Sequence, residues 1–155
     1  MEIRPAEKHR LLEVLYIIRE CSRQLLEKGV KYWNNSHADY NDISEDIDKQ
    51  YVYLMFSDLV AVGTITVKPD KKDPKVTTIS RLAIFPAHQK KGFAHEILKF
   101  AEGVAKNNGS TLLVGTTPTD DKVLFQLLEE NGFINSGIVN EVPEEFVQIR
   151  FEKKI

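Results

Sequence analysis

Six consecutive residues, Gln89-Lys90-Lys91-Gly92-Phe93-Ala94, carry the strongest chemical signal in this chain. Before them, Val76 to Ile84 is β-branched and apolar, without Gly or Pro, and reads as a strand that Phe85-Pro86 ends. After them, Phe93, Ile97, Phe100, Ala101 and Val104 recur at three- and four-residue spacing, which marks one face of a helix. The six residues thus fall where the first N–H groups of a helix have no intrahelical acceptor and the macrodipole is positive. Gly92 permits a tight turn and a close approach of backbone to ligand, Ala94 leaves the first turn uncrowded, and Lys90 and Lys91 add full charges. Such a place suits a phosphate or pyrophosphate. A plain solvated basic loop has the same composition, so the flanking sequence has to decide.

The elements that must position this loop can be read in order. Glu2 to Arg4 reads as a short strand, and after Pro5 the residues Leu11, Val14, Leu15, Ile18 and Leu25 follow helical spacing up to a stop at Gly29. Val30 to Asp42 has no period but contains Tyr32, Trp33, His37 and Tyr40, a mixture suited either to a surface connection or to the wall of a small-molecule pocket. Ser44 to Gln50 is expected to be a short helix with Ser44 as its N-cap. Tyr51 to Ser57 and Ala61 to Lys68 form a hairpin around Asp58-Leu59-Val60, and the polar stretch from Pro69 to Pro74 turns into the central strand. Asn107-Asn108-Gly109 stops the helix after the loop, and Thr111 to Thr116 is a strand that the crossover makes a parallel neighbour. A last helix runs from Asp120 to Asn131 with Gly132 just beyond it, and Asn135 to Val142 and Phe146 to Lys153 complete the sheet.

Composition narrows the function classes. A chain of 155 residues with ordinary apolar and charged shares is expected to be one domain, residues 1–155, of α+β class with a mixed sheet. The formal net charge of −2 gives no global drive toward nucleic acid or membrane, so a basic site must be local, as at Lys90-Lys91. A single cysteine, Cys21, excludes an internal disulfide, and with no charged-then-apolar leader the expected location is the cytoplasm. Cys21 lies in a helical pattern and reads as a small packed hydrophobe rather than a nucleophile.

Two standard nucleotide cradles fail: there is no G-x-G-x-x-G, and no P-loop Gly-Lys-Ser/Thr end. The loop instead resembles Gln/Arg-x-x-Gly-x-Gly/Ala, the acyl-CoA pyrophosphate loop of the GNAT N-acetyltransferases. Leu82-Ala83-Ile84-Phe85-Pro86 is similar to that family's strand end before the loop, and Asn131-Gly132-Phe133 to the Gly-Phe closing its later helix. The resemblance implies a GNAT-like fold, with the central sheet splayed at the cofactor site and flanked by helices. It implies acetyl-CoA as acyl donor, held by Gln89, Lys90, Lys91, Gly92, Phe93 and Ala94 at the pyrophosphate and by Leu82, Ala83 and Ile84 along the pantetheine arm. Asp121 stands where the family usually has a cofactor-binding Asn. The acceptor would be a small-molecule or peptide amine, with Trp33 at its pocket and Arg81 orienting an acceptor carboxylate or making a structural salt bridge. No metal, nucleic acid or membrane partner is implied, and the expected state is monomer or homodimer.

Acyl transfer to an amine also needs a proton acceptor and a route for the leaving thiolate. An amine of pKa roughly 10 is mostly protonated at neutral pH, and Glu45, Asp46, His37 and Asp39 are all candidates to deprotonate it without one being singled out. The position of the family's thiolate-protonating tyrosine holds Leu128, so Tyr53 or Thr117 would have to substitute, or the thiolate leaves as its anion. That departure keeps a second reading open, a non-catalytic acyl-CoA-binding or regulatory module. A phosphate-binding α/β domain unrelated to CoA is the third.

Overall fold

The computed structural model describes residues 1–30, 39–140 and 147–155. Among the described residues seven strands make one mixed sheet, β1 (Glu2–Pro5), β2 (Val52–Ser57), β3 (Val60–Pro69), β4 (Val76–Ile84), β5 (Leu112–Pro118), β6 (Ile134–Asn140) and β7 (Val147–Lys154). The order across the sheet is β1-β2-β3-β4-β5-β7-β6. Strands β1 to β4 pair antiparallel, β4 and β5 are parallel, and β5, β7 and β6 are again antiparallel. The described α-helices that flank the sheet are α1 (Leu11–Glu27), α2 (Tyr40–Asp48), α3 (Phe93–Asn107) and α4 (Lys122–Glu130). None of the described helices is long and apolar enough to cross a membrane.

Two apolar layers hold the sheet between them. On one face α1 and α2 bury Val14, Leu15, Ile18 and Ile43 against Val52, Leu54, Phe56 and Ala83. On the other, Ile97, Leu98 and Ala101 of α3 and Leu128 of α4 pack on Met55, Ile65, Ile79, Leu113 and Phe151. The alternation Leu54, Met55, Phe56 between the two layers is the period of two that a strand covered on both sides requires. Helices α1, α3 and α4 each end in the paired 6→1 and 5→2 bonds of a Schellman motif, for α1 Val30 N–H to Leu25 C=O (2.9 Å) and Gly29 N–H to Leu26 C=O (3.0 Å). The glycine stops read from sequence are therefore real.

Two expectations need correction. Helix α2 begins at Tyr40, not Ser44, because Asp39 is the N-cap and its carboxylate accepts from Asp42 N–H at 3.0 Å. Ser44 lies inside the helix, where its hydroxyl and carbonyl both accept from Lys8. The β2–β3 hairpin turns more tightly than expected, since Val60 already pairs with Ser57 and Asp58 takes φ 55°.

Candidate functional site

The sheet opens between its two parallel strands. β4 and β5 pair only at Val76 with Leu112, Thr77 with Leu113 and Thr78 with Val114. Beyond that point β4 stays on β3 as far as Ile84, while β5 stays on β7 as far as Pro118. Among the described residues the facing edges of Ile79–Ile84 and 115–118 thus leave backbone donors and acceptors without a ladder partner, the arrangement that receives an extended ligand as an added strand. Gly115 marks the apex: a Cβ there would lie 3.2 Å from Ile79 Cγ1, closer than most side chains tolerate.

A bulge re-aims β4 just above the apex. Ser80 faces Thr66 and Ala83 faces Thr64, so Arg81 and Leu82 together oppose Ile65. The extra residue shifts the side-chain alternation by one, which puts Ile79, Leu82 and Ile84 all on the α3 side. Arg81, at φ 52°, instead reaches Asp46 on α2, with Nη1 2.7 Å from Oδ2. Lys68 Nζ lies 3.0 Å from Oδ1 of the same carboxylate. Asp46 is thus a buried anion shared by two cations, and of the two readings of Arg81 the salt bridge is the one observed.

At the open end of the gap the loop takes the form its composition suggests. After a 3-10 turn over Pro86–His88, Lys90 adopts φ 62° and Gly92 φ 85°, and α3 begins at Phe93. Gly92 is the N-cap residue and supplies no side-chain acceptor, so among the described residues the N–H groups of the first turn of α3 are uncapped. No described residue comes within 4 Å of where a Cβ of Gly92 would stand. Lys90 and Lys91 are exposed beside it.

Gln89 behaves differently from the rest of the loop. Its Nε2 donates to Ile84 C=O at 2.8 Å and to Gln24 Oε1 at 2.9 Å, and its Oε1 accepts from Gln24 Nε2 at 3.1 Å. The Ile84 carbonyl also accepts from Cys21 Sγ at 3.0 Å. Burial pushes the Cys21 thiol up to about 12, so it is no nucleophile. Sequence reasoning missed Gln24 altogether, because nothing local links a mid-helix polar residue to a loop 65 positions later.

The remaining candidates fall in different places. Asp121 is buried at the N-terminus of α4, just beyond β5, where it caps the helix by accepting from Leu124 N–H at 3.2 Å. Burial raises its carboxyl above the ordinary value, against a smaller opposing effect of the capping bond and of Lys28. Leu128 is buried in the α3-side core. Tyr53 lies on β2, two strands from the gap, edge-on to Phe100 with ring centroids 5.0 Å apart. Thr117 is on β5 beside the gap, but its hydroxyl donates to Pro118 C=O at 2.9 Å. Glu45 is exposed and paired with Lys49, which holds its carboxyl below the ordinary value. Trp33 and His37 lie outside the described residues. A polar groove of about 370 Å³ between α3, α4 and β7, lined by His95, Lys99, Glu130 and Lys153, stands apart from the residues that border the gap.

Comparison with known proteins is consistent with this geometry. Among curated proteins none matches the chain by sequence. A GNAT-family acetyltransferase from Streptococcus agalactiae superposes with a TM-score of 0.85 at 18% identity, over 99% of this chain and 95% of that one. Salmonella typhimurium yncA, solved with its cofactor acetyl-CoA, gives 0.79 at 17% identity over 99% and 93%. The PaiA N-acetyltransferase of Thermoplasma acidophilum, solved with coenzyme A, gives 0.79 at 19% over 99% and 98%. The sequence model of the acetyltransferase (GNAT) family matches residues 12–133. With that match over most of its length, and with the splayed parallel pair and uncapped basic loop in place, the chain belongs to the GNAT acetyltransferase family.

Proposed function

We propose that the protein transfers an acetyl group from acetyl-CoA to a primary amine of a small-molecule or peptide acceptor, by direct attack within a ternary complex. The observation that carries this reading is the continuity of the β4–β5 gap with the uncapped N-terminus of α3. Phe93 and Ala94 at the start of α3 offer their backbone amides to a pyrophosphate, and Lys90 and Lys91 balance its charge. Leu82 offers its backbone groups to the pantetheine arm, and Ile84 its N–H, since the Ile84 carbonyl is already taken by Gln89 and Cys21; Ala83, opposite Thr64, turns its own backbone groups toward β3 and lends the arm only its place in the strand. When bound, acetyl-CoA supplies an activated acyl group.

The proton balance is simple. The acceptor must arrive as its free amine, so turnover rises with pH toward the amine's own pKa, and its departing proton goes to water. With Leu128 buried and Thr117 bonded to its neighbour, the thiolate leaves as its anion, tolerable for a thiol of pKa roughly 8.5. The same observation favours a second reading, a module that binds acyl-CoA without turning it over. Calorimetric titration with acetyl-CoA, followed by thiol release over a panel of amines on the same sample, separates the two. Binding with amine-dependent release supports the enzyme; binding with no release by any amine supports the module; absence of binding removes both.

A further inference from the structure

We propose that Gln24 is a positioning residue for the cofactor's pyrophosphate, acting from α1 through Gln89; this rests on the acyl-CoA reading above. Gln24 and Gln89 face each other as a reciprocal amide pair, at 3.1 Å and 2.9 Å. The second proton of Gln89 Nε2 goes to Ile84 C=O at 2.8 Å, so both its N–H groups and its carbonyl are engaged within the protein. The Gln89 side chain therefore does not bind the pyrophosphate. It fixes the position from which the loop departs.

What it fixes is strained. Lys90, the next residue, holds φ 62°, a left-handed conformation that is unfavourable for an L-residue with a side chain and persists only where the surroundings impose it. Release of Gln89 lets Lys90 relax, and the amides from Lys91 to Ala94 then no longer converge. The anchor itself is stiff. Cys21 and Gln24 stand three residues apart on one face of α1 and both serve the end of β4, and that helix is set in the core by Leu11, Val14, Leu15, Ile17 and Ile18. The loop's conformation is thus set from outside the loop, by a helix on the opposite side of β4 from α3.

The test compares acetyl-CoA with S-acetylpantetheine, which lacks the pyrophosphate, as ligands of Gln24→Leu, Gln89→Leu and the double variant. For Gln24→Leu the expected result is an acetyl-CoA Kd raised about tenfold, with S-acetylpantetheine changed less than twofold and the melting temperature close to wild type. The double variant should bind acetyl-CoA no worse than Gln89→Leu alone, since both changes break one pair. An equal loss for both ligands would show a general defect of folding, and additive losses would show two independent roles; either overturns the proposal, as does an unchanged Kd. If the wild-type protein binds S-acetylpantetheine but gains nothing from the pyrophosphate, the positioning role of Gln24 fails while the acyl-CoA reading stands; if it binds neither, the acyl-CoA reading fails as well.

Discussion

Gly92 concentrates three requirements in one residue: a left-handed backbone, absence of a capping side chain and open space above the first turn of α3. Gly92→Trp introduces strain and fills that space, and acetyl-CoA affinity measured by calorimetry should fall at least about a hundredfold. Lys90→Ala with Lys91→Ala removes charge but keeps the amides, so the loss should be about tenfold at low salt and shrink as salt screens the wild type. Asp121 makes a separate case, because it combines a useful cap with a carboxylate that burial disfavours in its charged form. Its folded pKa is raised, so the stability it contributes is fully present below the unfolded value of 3.8 and declines as pH rises through the folded value. Asp121→Asn keeps the cap without the charge and should match or exceed wild-type stability at pH 7 in urea unfolding, whereas Asp121→Ala should cost about 1 kcal/mol. Cys21 follows the same sign at the other end of the scale. Its contribution is intact below the unfolded thiol value of 9.0 and is lost between there and about 12, so Cys21→Ala should flatten the loss of stability as pH rises above 9, and leave it unchanged below, relative to wild type.

Among the elements, β4 is the one most completely written in the sequence and the one with the most hidden in it. Its β-branched run has the bounds read from sequence, and the loop and α3 follow as expected. The bulge at Arg81 was not legible, since Ile-Ser-Arg-Leu-Ala-Ile has no Gly or Pro to announce an extra residue; the pairing with β3 creates it. Nor was α2's true start visible, because Asp39-Tyr40-Asn41-Asp42 reads as polar loop until Ile43 and Ile47 are seen buried on the sheet. Long-range partners such as Asp46 with Arg81 and Lys68 leave no local trace at all. Asp46→Ala would strand two cations, one of them 13% exposed, and should cost about 3 kcal/mol in urea unfolding, a larger effect than any exposed ion pair on α2 would show. At the apex of the gap, Gly115→Val would press on Ile79 and should destabilise by about 2 kcal/mol while weakening acetyl-CoA binding.

At the scale of the whole molecule the seven strands form two groups, β1 to β4 and β5 to β7, that share only three ladder pairs. Helix α3 and the α3-side core bridge them over one face, through Ile79 on one group and Leu113 and Phe151 on the other. A ligand lying in the gap and hydrogen-bonded to both edges would join the groups along the length where the ladder is missing. Acetyl-CoA at a hundred times its Kd should therefore raise the melting temperature by about 5–10 °C, from the roughly 2.7 kcal/mol that mass action supplies to a chain of this size. The three-pair seam has a mechanical consequence as well. Pulled apart across the sheet, the free protein should yield first along β4–β5, as two blocks rather than strand by strand, and saturation with acetyl-CoA should shift the first rupture elsewhere.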